Sequence, residues 1–222
     1  MSDKPASPPP ARWAQAWPDA LAFVAGLALA WFNQWETKDL VWSLWLSSLL
    51  VGYSMIVWDI FGMSASGLKV TVGGEQGAPF PLAGSAILFA GRLFLLAFFT
   101  VHFGGFHYVH ATFLNQFFPV FPGQHGFMNL HVFVQVLHDY WPFVLVTALA
   151  ERKAFRREPN GLKDPGMMTP YKNVIRLHLL IFFFAFTSFV HLHNFAIYAV
   201  VYAVYFFPWR LVFPPKPRLV PA

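Results

Sequence analysis

Residues 40–61 of the chain, LVWSLWLSSLLVGYSMIVWDIF, carry a single charged side chain, Asp59. An α-helix of about 20 mostly apolar residues crosses the hydrocarbon core of a lipid bilayer. These residues therefore predict a membrane-spanning helix.

The composition of the whole chain extends this prediction. Hydrophobic residues make up 57% of the sequence and charged residues 11%. In soluble domains roughly a quarter of the residues are charged. A single soluble core could not hide 27 Phe and 9 Trp residues with so few solvating groups. The apolar surface is expected to face lipid, so the composition predicts an integral membrane protein.

Five other stretches are apolar enough to cross a membrane, so we predict an all-α polytopic bundle of about six transmembrane helices. The predicted spans are residues 19–35, 40–61, 82–102, 130–149, 173–190 and 194–207. The last two are short and almost adjacent, so one long bent helix is an alternative to two separate helices. The domain prediction is a disordered Pro-rich tail at 1–18, one transmembrane domain at 19–212 and a C-terminal tail at 213–222.

Residues 103–118, FGGFHYVHATFLNQFF, are harder to place. They are apolar enough to continue the third helix, yet two glycines lie near their start. We predict either a kinked continuation of that helix or a helix lying in the membrane interface, ended by Pro119 and Pro122.

The distribution of Lys and Arg predicts the orientation. With six spans, twelve of these residues fall on one side of the membrane and Lys38 alone falls on the other. The side richer in basic residues is normally cytoplasmic. We therefore predict a bacterial inner-membrane protein with both termini in the cytoplasm.

Nine histidines and no cysteines define the candidate chemistry. Without thiolates, a metal site has to use imidazole, carboxylate, thioether or backbone ligands. Under the predicted topology, seven of the nine histidines lie near the non-cytoplasmic face. The predicted ligands, for copper, iron, zinc or a haem, are His102, His107, His110, His131, His191 and His193.

Two other roles for these histidines stay open at this stage. The imidazoles could hydrogen-bond to water, headgroups or neighbouring helices and serve packing alone. They could instead form a proton relay. The sequence contains neither the HExxH motif of zinc proteases nor the repeated histidine boxes of membrane desaturases, so the metal hypothesis rests on position.

Charged residues suggest two further sites. Arg92 and Asp139 are both predicted to lie near mid-membrane, where a charge is expected to be paired or functional, so we predict an intramembrane pair. The connection after the fourth span contains Arg152, Lys153, Arg156 and Arg157, which are expected to lie against anionic headgroups. Asp19 and other acids on that side are expected to balance part of this charge.

Three segments resemble a bacterial family of small multi-span membrane proteins known only as a domain of unknown function. They are WSLWLSSLLVGYSMI at 42–56, HFGGFHYVH at 102–110 and YKNVIRLHLLI at 171–181. The resemblance covers most of the chain from the first to the sixth span, and it implies that topology. The residues carried over from the family pattern are His102, Gly104, Gly105, His107, His110 and His178.

One position departs from this family pattern. The family has a Glu two residues after the Trp that corresponds to Trp45, and this chain has Ser47 there. An activity that depends on that Glu is in doubt here. Since the family has no assigned activity, the resemblance implies no reaction.

The function expected from the sequence is a His-lined, periplasm-facing site for a transition metal or haem, serving redox chemistry or metal handling. The alternatives are a non-catalytic accessory or scaffold subunit and a small proton-coupled transporter that uses Arg92, His138 and Asp139. The expected partners are the lipid bilayer and other membrane subunits, with no nucleic acid. Whether the protein is an enzyme stays undecided.

Overall fold

The computed structural model describes residues 12–62 and 81–155, and individual residues between 175 and 207. Four α-helices lie in these ranges: α1 (Arg12–Phe32), α2 (Thr37–Gly62), α3 (Pro81–Phe117) and α4 (Leu130–Ala150). A short 3-10 turn follows at Arg152–Phe155. The described part of the chain is all-helical and contains no strand.

Three of these helices are long and apolar enough to cross a membrane, and they are Thr37–Gly62, Phe89–Phe117 and Leu130–Ala150. The apolar part of α1, Trp17–Phe32, is shorter. The predicted fifth and sixth spans lie mostly outside the described residues, as do residues 1–11 and 208–222. Those described at 175–186 and 199–204 are helical.

Helices that follow one another in the chain run in opposite directions. Trp42 of α2 contacts Phe118 just after α3, whereas Tyr53 of α2 contacts Thr100 of α3, so these two helices are antiparallel. Helix α4 runs parallel to α2. Its first turns contact the start of α2 through Phe133 and Trp45, and the turn after α4 contacts the end of α2 through Phe155 and Trp58.

Local hydrogen bonds define the helix ends on the α1–α2 side. The Glu36 backbone N–H donates to the carboxylate of Asp39 at 2.8 Å, which caps the start of α2. Asn129 caps α4, since its side-chain oxygen accepts from the Val132 N–H at 3.0 Å.

The connection between α3 and α4 is closed by one buried side chain, Asn115. Its amide nitrogen donates to the carbonyls of Gln124 and Gly126, at 3.3 and 3.2 Å. Gly126 itself adopts φ of +135°, a conformation that side chains rarely tolerate. Residues 118–129 therefore form an anchored loop.

The structure decides two element boundaries. Of the two alternatives for residues 103–118, continuation of the third helix is confirmed: α3 runs through the two glycines to Phe117, so residues 103–117 belong to one 37-residue helix. Helix α1 begins at Arg12, inside the segment predicted as a disordered tail. In both cases hydrogen bonds within the helix outweigh the weak helix propensity of glycine or proline.

Candidate functional site

His107 is the best-defined polar group inside the bundle. Its side chain is buried between α3 and α2, with residue exposure of 1%. Nδ1 lies 3.0 Å from the carbonyl oxygen of Phe103, one turn earlier, and Nε2 lies 3.1 Å from the hydroxyl of Ser48 on α2.

These partners define the tautomer of His107. A carbonyl oxygen accepts only, so Nδ1 carries the proton and donates to Phe103. In the neutral ring Nε2 is then the acceptor, and the Ser48 hydroxyl donates to it. Both nitrogens are engaged, so coordination of a metal by His107 requires one of these bonds to break.

Two indole rings reinforce the same helix pair. The Trp45 N–H donates to the backbone carbonyl of His107 at 2.9 Å, and the Trp42 N–H donates to the carbonyl of Phe118 at 2.8 Å. Both tryptophans are buried. Sequence analysis missed Trp42, Trp45 and Ser48 as a polar network, although a buried indole N–H generally has a hydrogen-bond partner.

His110 lies beside His107. It is 6% exposed, and the centroids of the two imidazole rings are 6.3 Å apart. Of the six predicted ligands, these are the two that the described structure brings together.

The other described histidines face outward. His102 is exposed and stacks on Phe98 with ring centroids 5.4 Å apart, and His131 stacks on Phe121 at 4.5 Å. His125 is exposed, and its Nδ1 lies 2.9 Å from the carbonyl of Gln116. His178, His191 and His193 lie outside the described residues.

The depth of the histidines differs from the sequence prediction. If the third helix ended at His102, then His107 and His110 would follow it outside the bundle. Because α3 continues to Phe117, these two histidines lie within the bundle. Phe103 packs on Gly52, and His107 contacts Ser48 near the middle of α2. His131, by contrast, lies in the first turn of α4.

Within residues 12–62 and 81–155, and the few residues described beyond them, no three His, Asp or Glu side chains are close enough to hold a metal ion. The predicted six-histidine centre is therefore not assembled in this part of the chain. His191 and His193 stay predictions.

Arg92 and Asp139 are not brought together. Asp139 accepts from the Gln135 amide at 2.9 and 3.0 Å and lies 3.0 Å from Nδ1 of His138. It also lies near the α1–α2 turn, at the start of α2. Arg92 precedes Leu95 and Leu96, which pack against the end of α2. Asp139 therefore lies near the start of α2 and Arg92 near its end. These two ends are about 30 Å apart, which is the rise of some 20 helical residues.

The basic connection has one well-defined contact. Arg152 donates to the carboxylate of Asp19 at 2.6 Å, and both side chains are about a fifth exposed. This ion pair joins the end of α4 to the start of the apolar part of α1, as expected for an acid that balances this basic run. The side chain of Lys153 is not described, and Arg156 and Arg157 lie outside the described residues.

A polar notch lies at the opposite end of α1. It is a cleft of about 560 Å³ between the α1–α2 turn and α4. Its lining residues are Asn33, Gln34, Trp35, Glu36, Lys38, Asp39, His138, Asp139 and Tyr140. The Tyr140 hydroxyl donates to Asp39 at 2.7 Å and so fixes α4 to α2 beneath the notch.

The fold defines the class of this protein: over the residues that the structure describes it is all-helical, with three helices long and apolar enough to cross a membrane. Comparison with known proteins gives the family. The sequence model of DUF6498, a family of unknown function, matches residues 6–207, so the chain belongs to this family. The predicted resemblance to a domain of unknown function is confirmed. No curated protein and no solved structure matches the chain.

Proposed function

We propose that the chain spans a bacterial inner membrane six times, with both termini in the cytoplasm. The alternating directions of α1 to α4 support this topology, as do the three long apolar helices. The fifth and sixth spans in this proposal are residues 173–190 and 194–207. The distribution of Lys and Arg supports the orientation.

Within that topology we propose a non-catalytic accessory or scaffold subunit of a membrane complex. The observation that carries this proposal is the bonding of His107, whose two ring nitrogens are both used to hold α3 against α2. An imidazole held in this way stabilises the fold and offers no lone pair to a metal or substrate. The histidine element is then part of the helix packing.

The exposed surface of α3 supports a partner. In the most apolar stretch of α2, 67% of the residues are buried inside the protein, against 11% in α3. Helix α3 is also about 55 Å long at 37 residues, which exceeds the bilayer core of about 30 Å. Lipid covers part of this surface, and the proposed partner subunit packs on the remainder.

Co-purification after crosslinking in native membranes tests the scaffold proposal. We expect a partner in fixed stoichiometry, recovered less well when exposed α3 residues are enlarged, as in Val101→Trp or Val109→Trp. Leu145→Trp, at a similarly exposed position of α4, is the matched control. A protein that is recovered alone, or a partner that is insensitive to the α3 variants, would contradict the proposal.

A transition-metal or haem site is the second candidate, because the buried rings of His107 and His110 are adjacent at 6.3 Å. Metal analysis and absorption spectroscopy of the purified protein distinguish it from the scaffold. One equivalent of copper, iron or zinc, or a Soret band, lost in a His107→Ala/His110→Ala variant would favour this candidate. Proton-coupled transport has less support, because its two proposed charged groups are far apart. Arg92 of α3 lies near the end of α2, and Asp139 of α4 lies near the start of α2.

A further inference from the structure

The polar notch lies where α1 ends beside the middle of α4, because these two 21-residue helices are offset along the bundle. The Asp19–Arg152 ion pair aligns the two helices at one end of the bundle. From Asp19 to Phe32, α1 rises about 20 Å, whereas α4 rises about 30 Å from Leu130 to Ala150. The α1–α2 turn therefore lies beside His138, Asp139 and Tyr140, two turns after the start of α4.

The residues around the notch indicate a membrane interface. Trp31 and Trp141 lie close in sequence to notch residues, and their side chains are 63% and 52% exposed. Tryptophan is enriched at the headgroup level of membranes. Polar groups at the floor of such an indentation cannot be left in contact with acyl chains, so either water or a lipid headgroup fills it.

The charges in the notch select among headgroups. Three carboxylates, of Glu36, Asp39 and Asp139, line it together with one ammonium group, that of Lys38. Asp39 is already bonded to Tyr140 and to the Glu36 N–H. Glu36 is exposed, and Asp139 has oxygen lone pairs beyond those its neighbours use, so these two can accept from a ligand.

We propose that this notch binds the zwitterionic headgroup of an ethanolamine phospholipid. The lipid ammonium donates to the carboxylates of Glu36 and Asp139, and its phosphate lies beside Lys38. A choline headgroup has no N–H to donate, and a glycerol headgroup leaves the lipid anionic beside three carboxylates. The chemistry recognised is a primary ammonium joined to a phosphodiester.

Thermal unfolding of the full-length protein in neutral detergent tests this proposal. Short-chain phosphatidylethanolamine is added in increasing amounts, with phosphatidylcholine and phosphatidylglycerol in parallel. We expect the ethanolamine lipid to raise the unfolding midpoint most. In a Glu36→Gln/Asp139→Asn variant its apparent affinity should fall about tenfold, since charge-assisted hydrogen bonds are lost.

Two controls complete the experiment. A Glu158→Gln/Asp164→Asn variant removes two acids from the sequence after α4 and should retain the lipid response. Soluble glycerophosphoethanolamine, which has the headgroup without acyl chains, shows whether the lipid is required. If it raises the unfolding midpoint as much as the lipid does, the headgroup alone is sufficient. If it raises the midpoint only weakly, the ligand is the intact lipid. Equal responses to all three lipids, or an unchanged response in the notch variant, would overturn the proposal.

Discussion

Individual hydrogen bonds from buried and half-buried polar side chains hold α2 against α3. An imidazole, a hydroxyl and two indoles lie where most of their neighbours are apolar, and His107, Ser48, Trp42 and Trp45 each have a hydrogen-bond partner. An unsatisfied polar group in such surroundings costs about 1–3 kcal/mol. These bonds therefore favour one register of α2 against α3.

Replacement of Trp45 by Phe tests the contribution of one indole. The ring is largely retained, but the N–H that donates to the His107 carbonyl is lost. We expect the free energy of unfolding in detergent to fall by about 1 kcal/mol. Trp141→Phe, at an exposed position of α4, should change it little. Equal effects of the two substitutions would show that the Trp45 hydrogen bond contributes nothing.

Sequence could identify the histidines of α3 but not the directions in which they point. His102 and His107 belong to the same HFGGFH element, yet one is exposed and the other is buried. The element is apolar on every side of the helix, so hydrophobic periodicity gives no preferred face. The partner of His107, Ser48, lies 59 residues away in the chain, and no local pattern predicts it.

At the scale of elements, close packing of α2 on α3 depends on Gly52. A Cβ atom at this position would lie 2.8 Å from the ring of Phe103, which is buried. The absence of a side chain allows the Phe103 ring to pack against the α2 backbone. Gly104 and Gly105 of α3 have a different role, because a Cβ at either position meets nothing within 4 Å.

Gly52→Leu should therefore separate the two helices. We expect it to lower the free energy of unfolding by about 1–3 kcal/mol, because the added atoms cannot be placed without moving Phe103. The same substitution at Gly104 is the matched control and should be tolerated, measured by denaturant unfolding in mixed micelles. Comparable losses at both positions would contradict the described packing.

The ion pair between Asp19 and Arg152 allows a second test at this scale. Asp19→Asn and Arg152→Gln should each lower the free energy of unfolding by about 1 kcal/mol, since both groups are partly buried. The exchanged variant Asp19→Arg/Arg152→Asp should recover part of this loss. The single charge reversals Asp19→Arg and Arg152→Asp are measured separately for comparison. If the exchanged variant loses as much free energy of unfolding as these two reversals together, the pair does not join α1 to α4.

The boundary of α3 shows where reasoning from sequence leaves an element undecided. The glycine pair left open whether the third helix continues past His102, because glycine weakens helices in water. In a non-aqueous environment the backbone hydrogen bonds have no competing partner, so the helix continues. The starts of α2 and α4, by contrast, follow from capping residues that are visible in the sequence, Asp39 and Asn129.

At the scale of the whole molecule, composition and charge were sufficient to predict a helical membrane protein. The described part of the chain is all-helical, and three of its helices are long and apolar enough to cross a membrane. The number of spans stays a proposal, because the predicted fifth and sixth spans lie mostly outside the described residues. The notch could not be predicted, since it depends on how α1 and α4 align.

The absence of cysteine from the chain makes the topology directly testable. Single cysteines are introduced at Ser2, Gln124 and Ala222 and treated with a membrane-impermeant maleimide in intact spheroplasts. The proposal predicts labelling of Gln124→Cys without permeabilisation, and labelling of Ser2→Cys and Ala222→Cys only after it. Labelling of the two termini from opposite sides would exclude an even number of spans.

The central claim is that His107 joins α3 to α2 through Ser48, and a double-mutant cycle tests it most directly. His107→Ala, Ser48→Ala and the double variant are unfolded with SDS in mixed micelles. The hydrogen bond predicts a coupling free energy of about 0.5–1.5 kcal/mol between the two substitutions. Additive effects within about 0.3 kcal/mol would contradict it.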